Sequence, residues 1–188
     1  MKKPANHFPL VMKSIAAGSG LATIAFAVLY RFFPADWIYS MAITFGTTFY
    51  HFAMRLLVGT IVPLFTGNAN PEQSWFLPHR WEEPLYRKLG VKNWKKDLPT
   101  YDPGQFDLRM HSLEQVIRNM CNAEVVHEVI ILFSFLPLLF AIPFGTFPVF
   151  LITSILAALY DSIFVVAQRY NRPRLVKILK KKEAAAHE

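Results

Sequence analysis

Ionisable side chains inside apolar stretches are the residues of this sequence best suited to chemistry. His51 and Arg55 are spaced i, i+4, and Glu124 and His127 are spaced i, i+3. Each pair therefore shares one face of a helix. Asp161 lies in a further apolar stretch near the C-terminus. Because a charged group is costly in hydrocarbon, each of these residues needs a partner or a function.

A histidine beside a carboxylate can remove the proton of a hydroxyl group. His127 with either Glu124 or Asp161 offers that chemistry, and either Arg55 or Asn122 can stabilise the oxyanion that follows. Two other interpretations stay open. Glu-x-x-His motifs also hold metals in helical bundles, and Arg55 can pair with Glu124 or Asp161 simply to hold helices together.

Long apolar runs carry these residues and predict helices that cross a membrane. Apolar residues make up 53% of the 188-residue chain and charged residues 18%, in alternating blocks rather than interspersed. We therefore predict an all-α integral membrane protein with a single membrane domain over residues 1–188. Its four predicted spans cover residues 14–33, 37–65, 116–142 and 150–167.

Residues 66–112, between the second and third predicted spans, are too polar to cross hydrocarbon. They are also too rich in tryptophan to form a plain disordered linker. We expect an ordered segment of short amphipathic helices on the membrane surface. The third helix is expected to begin near Ser112, where Ser-Leu-Glu-Gln is similar to a capping box.

The basic residues predict an orientation. Lys2, Lys3 and Lys13 precede the first span, and four crossings bring the polar segment and the basic tail at residues 169–188 to the same side. The positive-inside rule then places both termini in the cytoplasm of a multi-pass protein of the cell membrane. Nearly all the buried polar residues fall in the inner half of the bilayer and are expected to meet in one cavity.

The net charge of +7 lies mostly beside apolar helices. Anionic lipids or an anionic cosubstrate are therefore the expected partners, and no nucleic-acid-binding motif is present. The tail at residues 168–175 reads QRYNRPRL, and its arginines suit either bidentate phosphate recognition or anchoring to the inner leaflet. Its candidate binding residues are Gln168, Arg169, Asn171, Arg172 and Arg174.

Three motifs give the chain a family resemblance. QRYNRPRL resembles the C-terminal motif of the glycosyl-4,4'-diaponeurosporenoate acyltransferases. Residues 94–99, WKKDLP, are similar to the WK-x-x-LP block of that family, and residues 123–127, AEVVH, to its AE-x-x-H block. These enzymes transfer a fatty acyl chain to the sugar of a glycosylated carotenoid acid.

The resemblance implies an acyltransferase that uses a long-chain acyl thioester, on coenzyme A or acyl carrier protein, and no other cofactor. The acceptor is a hydroxyl group of a membrane glycolipid. His127 is expected to act as the general base, with Glu124 orienting it. The remaining expectations are that Arg169, Arg172 and Arg174 hold donor phosphates and that Trp94 and Lys95 line the entrance.

Two further classes remain as alternatives. A membrane metalloenzyme acting on lipids would use His51, Glu124, His127 and Asp161 as ligands. A non-enzymatic lipid-binding or scaffold protein would use its buried polar residues only to pair with each other. Under that last hypothesis, substitutions at Glu124 and His127 lower stability and affect no turnover.

Overall fold

The fold is helical throughout the part of the chain that the structure, a computed structural model, describes: residues 6–67 and 69–186. The helices are α1 (Phe8–Phe32), α2 (Asp36–Thr66), α3 (Glu82–Lys88), α4 (Val91–Trp94), α5 (Leu113–Phe133), α6 (Ala141–Phe144) and α7 (Phe147–Ala186). Short 3-10 turns lie at Ser74–Phe76, Lys95–Asp97, Pro103–Phe106 and Leu136–Phe140. The predicted all-α class is confirmed.

Four helical segments are long and apolar enough to span a membrane, as predicted. They are Phe8–Phe32, Asp36–Thr66, Leu113–Phe144 and Phe147–Ala186. Large apolar side chains such as Leu21, Leu64 and Ile142 are mostly exposed on them. Exposed apolar surface of this extent is costly in water and suits contact with lipid tails.

The last helix extends well beyond the fourth predicted span. A fourth span was expected to end near residue 167 and to give way to a basic tail, whereas α7 continues as one helix for 40 residues to Ala186. It passes through Pro173, which has no N–H to bond the carbonyl of Arg169. Lys2 and Lys3, on which the orientation prediction partly depends, lie outside the described residues, as do residues 187 and 188.

The segment boundaries follow local sequence signals. Ser112 accepts a hydrogen bond from the backbone N–H of Gln115 at 3.1 Å and so caps the start of α5, as the capping-box pattern predicts. Gly145 and Thr146 both adopt positive φ, +68° and +51°, in the turn that joins α6 to α7. The left-handed backbone there reverses the chain between its last two long segments.

Contacts divide the chain into two compact units, and the first contains residues 1–60 and 130–159. In this unit α1 packs closely on α2: a Cβ atom at Gly20 would lie 3.0 Å from the Phe49 ring, and Phe26 stacks on Phe45 at 5.5 Å. Gly18, the other glycine of α1, has no such contact. Of the two glycines in the first predicted span, only Gly20 brings helices together.

His51 and Arg55 both lie in the first unit. The Arg55 guanidinium donates to the carbonyl of His51 at 2.8 Å and to the carbonyl of Ala157, on α7, at 3.2 Å. The His51 ring packs edge-on against Tyr50. The i, i+4 spacing predicted from the sequence is therefore a real contact between the two residues.

The second unit contains residues 61–129 and 160–188. It includes α3, α4 and most of α5, together with the C-terminal part of α7. The remaining predicted site residues all lie in this unit.

Candidate active site

An imidazole and a buried carboxylate meet in the second unit. His127 on α5 and Asp161 on α7 lie 34 residues apart in sequence, and His127 Nδ1 lies 2.9 Å from Asp161 Oδ1. The Asp161 side chain is 1% exposed, whereas that of His127 is 23% exposed. An imidazole that donates its Nδ1–H to a carboxylate keeps its Nε2 lone pair available to accept a proton.

The His127 ring is also fixed in orientation by an aromatic contact. Phe164, one turn after Asp161 on α7, stacks on it with the ring centroids 4.7 Å apart and the planes 8° from parallel. A carboxylate at one edge and a phenyl ring on one face leave the imidazole little rotational freedom. This is the arrangement expected of a positioned general base.

Glu124, one helical turn before His127 on α5, has different partners. Its carboxylate is fully buried and lies between two guanidinium groups from α7. Arg169 donates to one oxygen at 2.7 Å, and Arg172 donates to the other. Each charge is therefore compensated by a charge-assisted hydrogen bond.

A second buried carboxylate completes this arrangement. Glu82, at the start of α3, is 2% exposed and accepts from Arg169 at 2.9 and 2.6 Å. Its other oxygen accepts from the Tyr86 hydroxyl at 3.0 Å. Burial and this bond to Glu82 raise the pKa of Tyr86 well above its usual range. We refer to Glu82, Glu124, Arg169 and Arg172 as the ion network.

The ion network also fixes a stretch of irregular backbone. Arg169 donates to the carbonyls of Trp75 and Leu77 at 3.0 and 3.1 Å. Arg172 donates to the carbonyl of Phe76 at 2.7 Å, and its guanidinium lies over the Phe76 ring. Three consecutive carbonyls therefore have partners on α7, which holds this part of the surface segment in place.

These contacts revise two expectations about individual residues. Glu124 was expected to orient His127, but its oxygens bond to Arg169 and Arg172, and Asp161 is the carboxylate at the imidazole. The guanidinium groups of Arg169 and Arg172 were expected to hold donor phosphates. They instead face carboxylates and carbonyls and are 12% and 2% exposed. Buried carboxylates are the nearer and stronger partners for them.

Arg174, the third arginine of the motif, is exposed and lies beside a large cavity. The cavity has a volume of about 890 Å³ and lies between α3, α4 and α7. Its cationic lining residues are Arg80, Arg87, Lys92, Arg169, Arg174 and Lys177, and its acidic ones are Glu82 and Glu83. Because Arg169 already bonds both Glu82 and Glu124, the remaining lining is predominantly positive.

Two cations share one aromatic ring at the wall of this cavity. Lys95 lies 4.7 Å and Arg174 3.6 Å from the centroid of Tyr170, and Lys95 also donates to Asn171. Burial, and then the charge of Arg174, lower the pKa of Lys95. Trp94 beside it donates to the carbonyl of Leu89 at 3.0 Å. Like charges held this close favour an anion as ligand.

Two other predicted residues also lie in the second unit. Asn122 on α5 accepts a hydrogen bond from Thr66, the last residue of α2. Gln168 is partly exposed on α7, next to Arg169. The expectation that His51 and Arg55 share a cavity with His127 stays a prediction.

The metalloenzyme alternative lacks a ligand set in the described residues. No group of three or more histidine, cysteine, aspartate or glutamate side chains there could hold a metal ion. Glu124, one of its four proposed ligands, is engaged by two arginines.

Sequence reasoning missed Glu82, Tyr86 and Phe164. Glu82 and Tyr86 lie in a segment described only as polar and aromatic, and their contacts with α7 join residues far apart in sequence. Two closely spaced arginines in an apolar setting do require buried acceptors. That requirement predicts a second carboxylate without identifying which one.

A family model matches much of the chain. The model described as glycosyl-4,4'-diaponeurosporenoate acyltransferase matches residues 72–181, more than half of the 188 residues. That range includes the ion network, His127, Asp161 and all the lining residues of the cavity, and it leaves out α1 and α2. No curated protein and no solved structure matches the chain.

Proposed function

The chain belongs to the glycosyl-4,4'-diaponeurosporenoate acyltransferase family, and from this membership we propose a specific reaction. A long-chain acyl group moves from a thioester donor to a sugar hydroxyl of a glycosylated carotenoid or related glycolipid held in the membrane. Four segments long and apolar enough to span a bilayer support the membrane setting. The proposed location is the cell membrane, with both termini in the cytoplasm.

The pairing of His127 with Asp161 carries this proposal. In the proposed step, His127 Nε2 takes the proton of the acceptor hydroxyl as its oxygen attacks the thioester carbonyl. The Asp161 side chain, with Oδ1 2.9 Å from Nδ1, stabilises the imidazolium that forms. The tetrahedral intermediate then collapses, the C–S bond breaks, and the imidazolium returns its proton to the departing thiolate.

The oxyanion of that intermediate needs a donor, and Asn122 is the proposed one. Asn122 lies on α5, five residues before His127. Its carbonyl oxygen is fixed by Thr66, which leaves the amide N–H groups to donate. Glu124 becomes a positioning residue in this proposal, because it acts through Arg169 and Arg172 on the backbone of residues 75–77.

The cationic cavity is the proposed donor site. A volume of about 890 Å³ accommodates the polar part of a large thioester donor. Exposed cations on its wall, Arg174 and Lys177 among them, suit the phosphates of such a donor. Lys95, close to Arg174 on the Tyr170 ring, adds a further positive charge at the entrance.

Substitution of His127 tests the proposal directly. Purified protein with His127→Ala is expected to transfer labelled acyl chains to the glycosylated carotenoid acid about 10²- to 10⁴-fold more slowly, because general-base catalysis contributes that much. Its thermal unfolding is measured in parallel, because the buried Asp161 carboxylate loses its bond to the imidazole and some loss of stability is expected.

Glu128→Gln is the matched control, because Glu128 follows His127 on the same helix and accepts a hydrogen bond from the exposed indole of Trp75 at 2.9 Å. It should keep a rate close to that of the unmodified protein. Retention of the full transfer rate by His127→Ala would show that the imidazole is not the base.

A further inference from the structure

A second, more apolar groove lies beside the second half of α7. It has a volume of about 520 Å³, and Phe76, Leu77, Pro78 and Val176 are among its lining residues. Leu77 is half exposed there, whereas Phe76 is buried. A lining of phenyl, leucyl, valyl and prolyl groups is suited to a hydrocarbon chain rather than to a polar metabolite.

One wall of this groove is held in place by the ion network. The carbonyls of Phe76 and Leu77 accept hydrogen bonds from Arg172 and Arg169. Because those arginines are themselves fixed by buried carboxylates, the apolar wall is preorganised. The groove is therefore a built feature of the second unit and not a gap between mobile side chains.

The charges at the groove are all of one sign. Lys177, Lys180 and Lys181 line it, and their i, i+3, i+4 spacing puts them on one face of α7. Its described lining includes no aspartate or glutamate, unlike the larger cavity with Glu82 and Glu83. Arg172, the other cation, is occupied by Glu124.

We propose that this groove binds the headgroup and upper acyl region of one anionic phospholipid. The three lysines would meet the phosphate, and the apolar wall at residues 76–78 would cover the first part of the chains. Juxtamembrane lysines attract anionic lipids in general. The combination with an apolar groove predicts a specific lipid site beside the proposed donor cavity, with which it shares Pro78, Pro173 and Lys177. Lys180 and Lys181 line the groove alone, so lipid binding there can be tested independently of acyl transfer.

Retention of lipid by the purified full-length protein tests the proposal. Native mass spectrometry in detergent would measure bound phosphatidylglycerol and phosphatidylcholine, offered at equal concentration. The unmodified protein is expected to retain one phosphatidylglycerol in preference to phosphatidylcholine. Lys180→Gln with Lys181→Gln should weaken that binding about 10- to 30-fold, from the usual contribution of two lysines near a membrane surface.

A second double variant distinguishes lipid binding in the groove from a general attraction by the positive charge of the protein. Lys96→Gln with Lys182→Gln removes the same charge from exposed lysines that do not line the groove. It should bind phosphatidylglycerol as the unmodified protein does. Lys180→Arg with Lys181→Arg keeps the charge and should also bind it.

Several results would overturn the proposal. Equal retention of phosphatidylcholine would indicate ordinary surrounding lipid, and equal weakening in both glutamine pairs would indicate diffuse attraction. Loss of binding in the arginine pair would show that charge is not what matters. Displacement of the lipid by excess inorganic phosphate would assign the lysines to a free anion. None of these readouts depends on turnover, so failure of the proposed acyl transfer would not affect them.

Discussion

Two sites between α5 and α7 show how residues close together on one helix can have different partners. Glu124 and His127 are one helical turn apart, and each has a buried partner on α7. Glu124 meets two guanidinium groups, whereas His127 meets one carboxylate and keeps an exposed edge. In the first site each charge is paired within the protein, whereas in the second the imidazole keeps an accessible edge.

A shared position on a helix face therefore does not imply shared partners. A buried charge with strong partners on every side gains little from a substrate and contributes to structure. A partly exposed imidazole with one edge fixed is suited to proton transfer. The ion network has the mutual pairing of buried polar residues that the scaffold hypothesis describes, and the geometry of His127 with Asp161 suits the general base proposed above.

The strongest test of this contrast is Glu124→Ala. Removal of the carboxylate takes a charged partner from the buried Arg172 and one of two from Arg169, which keeps Glu82. Loss of one partner of a buried ion pair typically costs about 3–5 kcal/mol in the free energy of unfolding. Chemical or thermal unfolding in detergent would measure it, with Glu128→Gln as the control on the same helix. Loss of transfer in a variant of unchanged stability would instead make Glu124 a catalytic residue.

Asp161→Asn tests the other site and should act mainly on the rate. An amide cannot stabilise the imidazolium as a carboxylate does, so kcat is expected to fall about 10²-fold while the KM for the donor stays within about twofold. Steady-state kinetics of the purified protein would separate the two constants. A raised KM with an unchanged kcat would assign Asp161 to substrate binding.

Much of the fold could be predicted from the sequence because its signals are local. Apolar runs of sufficient length predicted the four long segments, and the serine cap at Ser112 predicted the start of α5. The continuation of α7 could not be predicted, because Pro173 and the basic residues resemble a helix end. Contacts of Arg169 and Arg172 with distant carboxylates hold the helix there.

The site was predicted in its composition but not in its pairing. Spacing identified Glu124, His127 and Asp161 as candidates and left open which carboxylate meets the imidazole. That choice depends on how α5 and α7 are rotated against each other, and the sequence of neither helix specifies it. Glu82, on α3, accepts hydrogen bonds from Arg169 and so helps to fix the orientation of that guanidinium group.

Lys95 and Arg174 form a cationic pair with no carboxylate partner among residues 6–67 and 69–186, and they offer a further comparison. Lys95 and Arg174 share the Tyr170 ring, and Lys95→Met is expected to raise the KM for the acyl donor about tenfold, since a charge-assisted hydrogen bond to phosphate is lost. Lys95→Arg, which keeps the charge, should restore most of the affinity. An unchanged KM in Lys95→Met would place the donor elsewhere.

The same pair predicts a pH dependence. Only the protonated amine attracts an anion, and burial and Arg174 lower the pKa of Lys95 below the usual 10.5. The donor KM should therefore rise with increasing pH, and the rise should begin at a lower pH than an ordinary lysine would give. Arg174→Gln should move the rise to higher pH, because the repulsion is relieved. Identical profiles in Lys95→Arg and the unmodified protein would refute the assignment.

The smallest expected effect concerns the third carboxylate of α5. Glu128 accepts from the indole N–H of Trp75 at 2.9 Å, and the Trp75 side chain is largely exposed. Trp75→Phe keeps the ring and the carbonyl that Arg169 holds, so it should cost about 1 kcal/mol or less of stability. Unfolding of Trp75→Phe, Glu128→Gln and the double variant would give the coupling energy. A coupling energy as large as the stability lost in Glu124→Ala would mean that Glu128, bonded to an exposed indole, stabilises the fold as much as Glu124, bonded to two guanidinium groups. The contrast between compensated and available charges would then lose its physical basis.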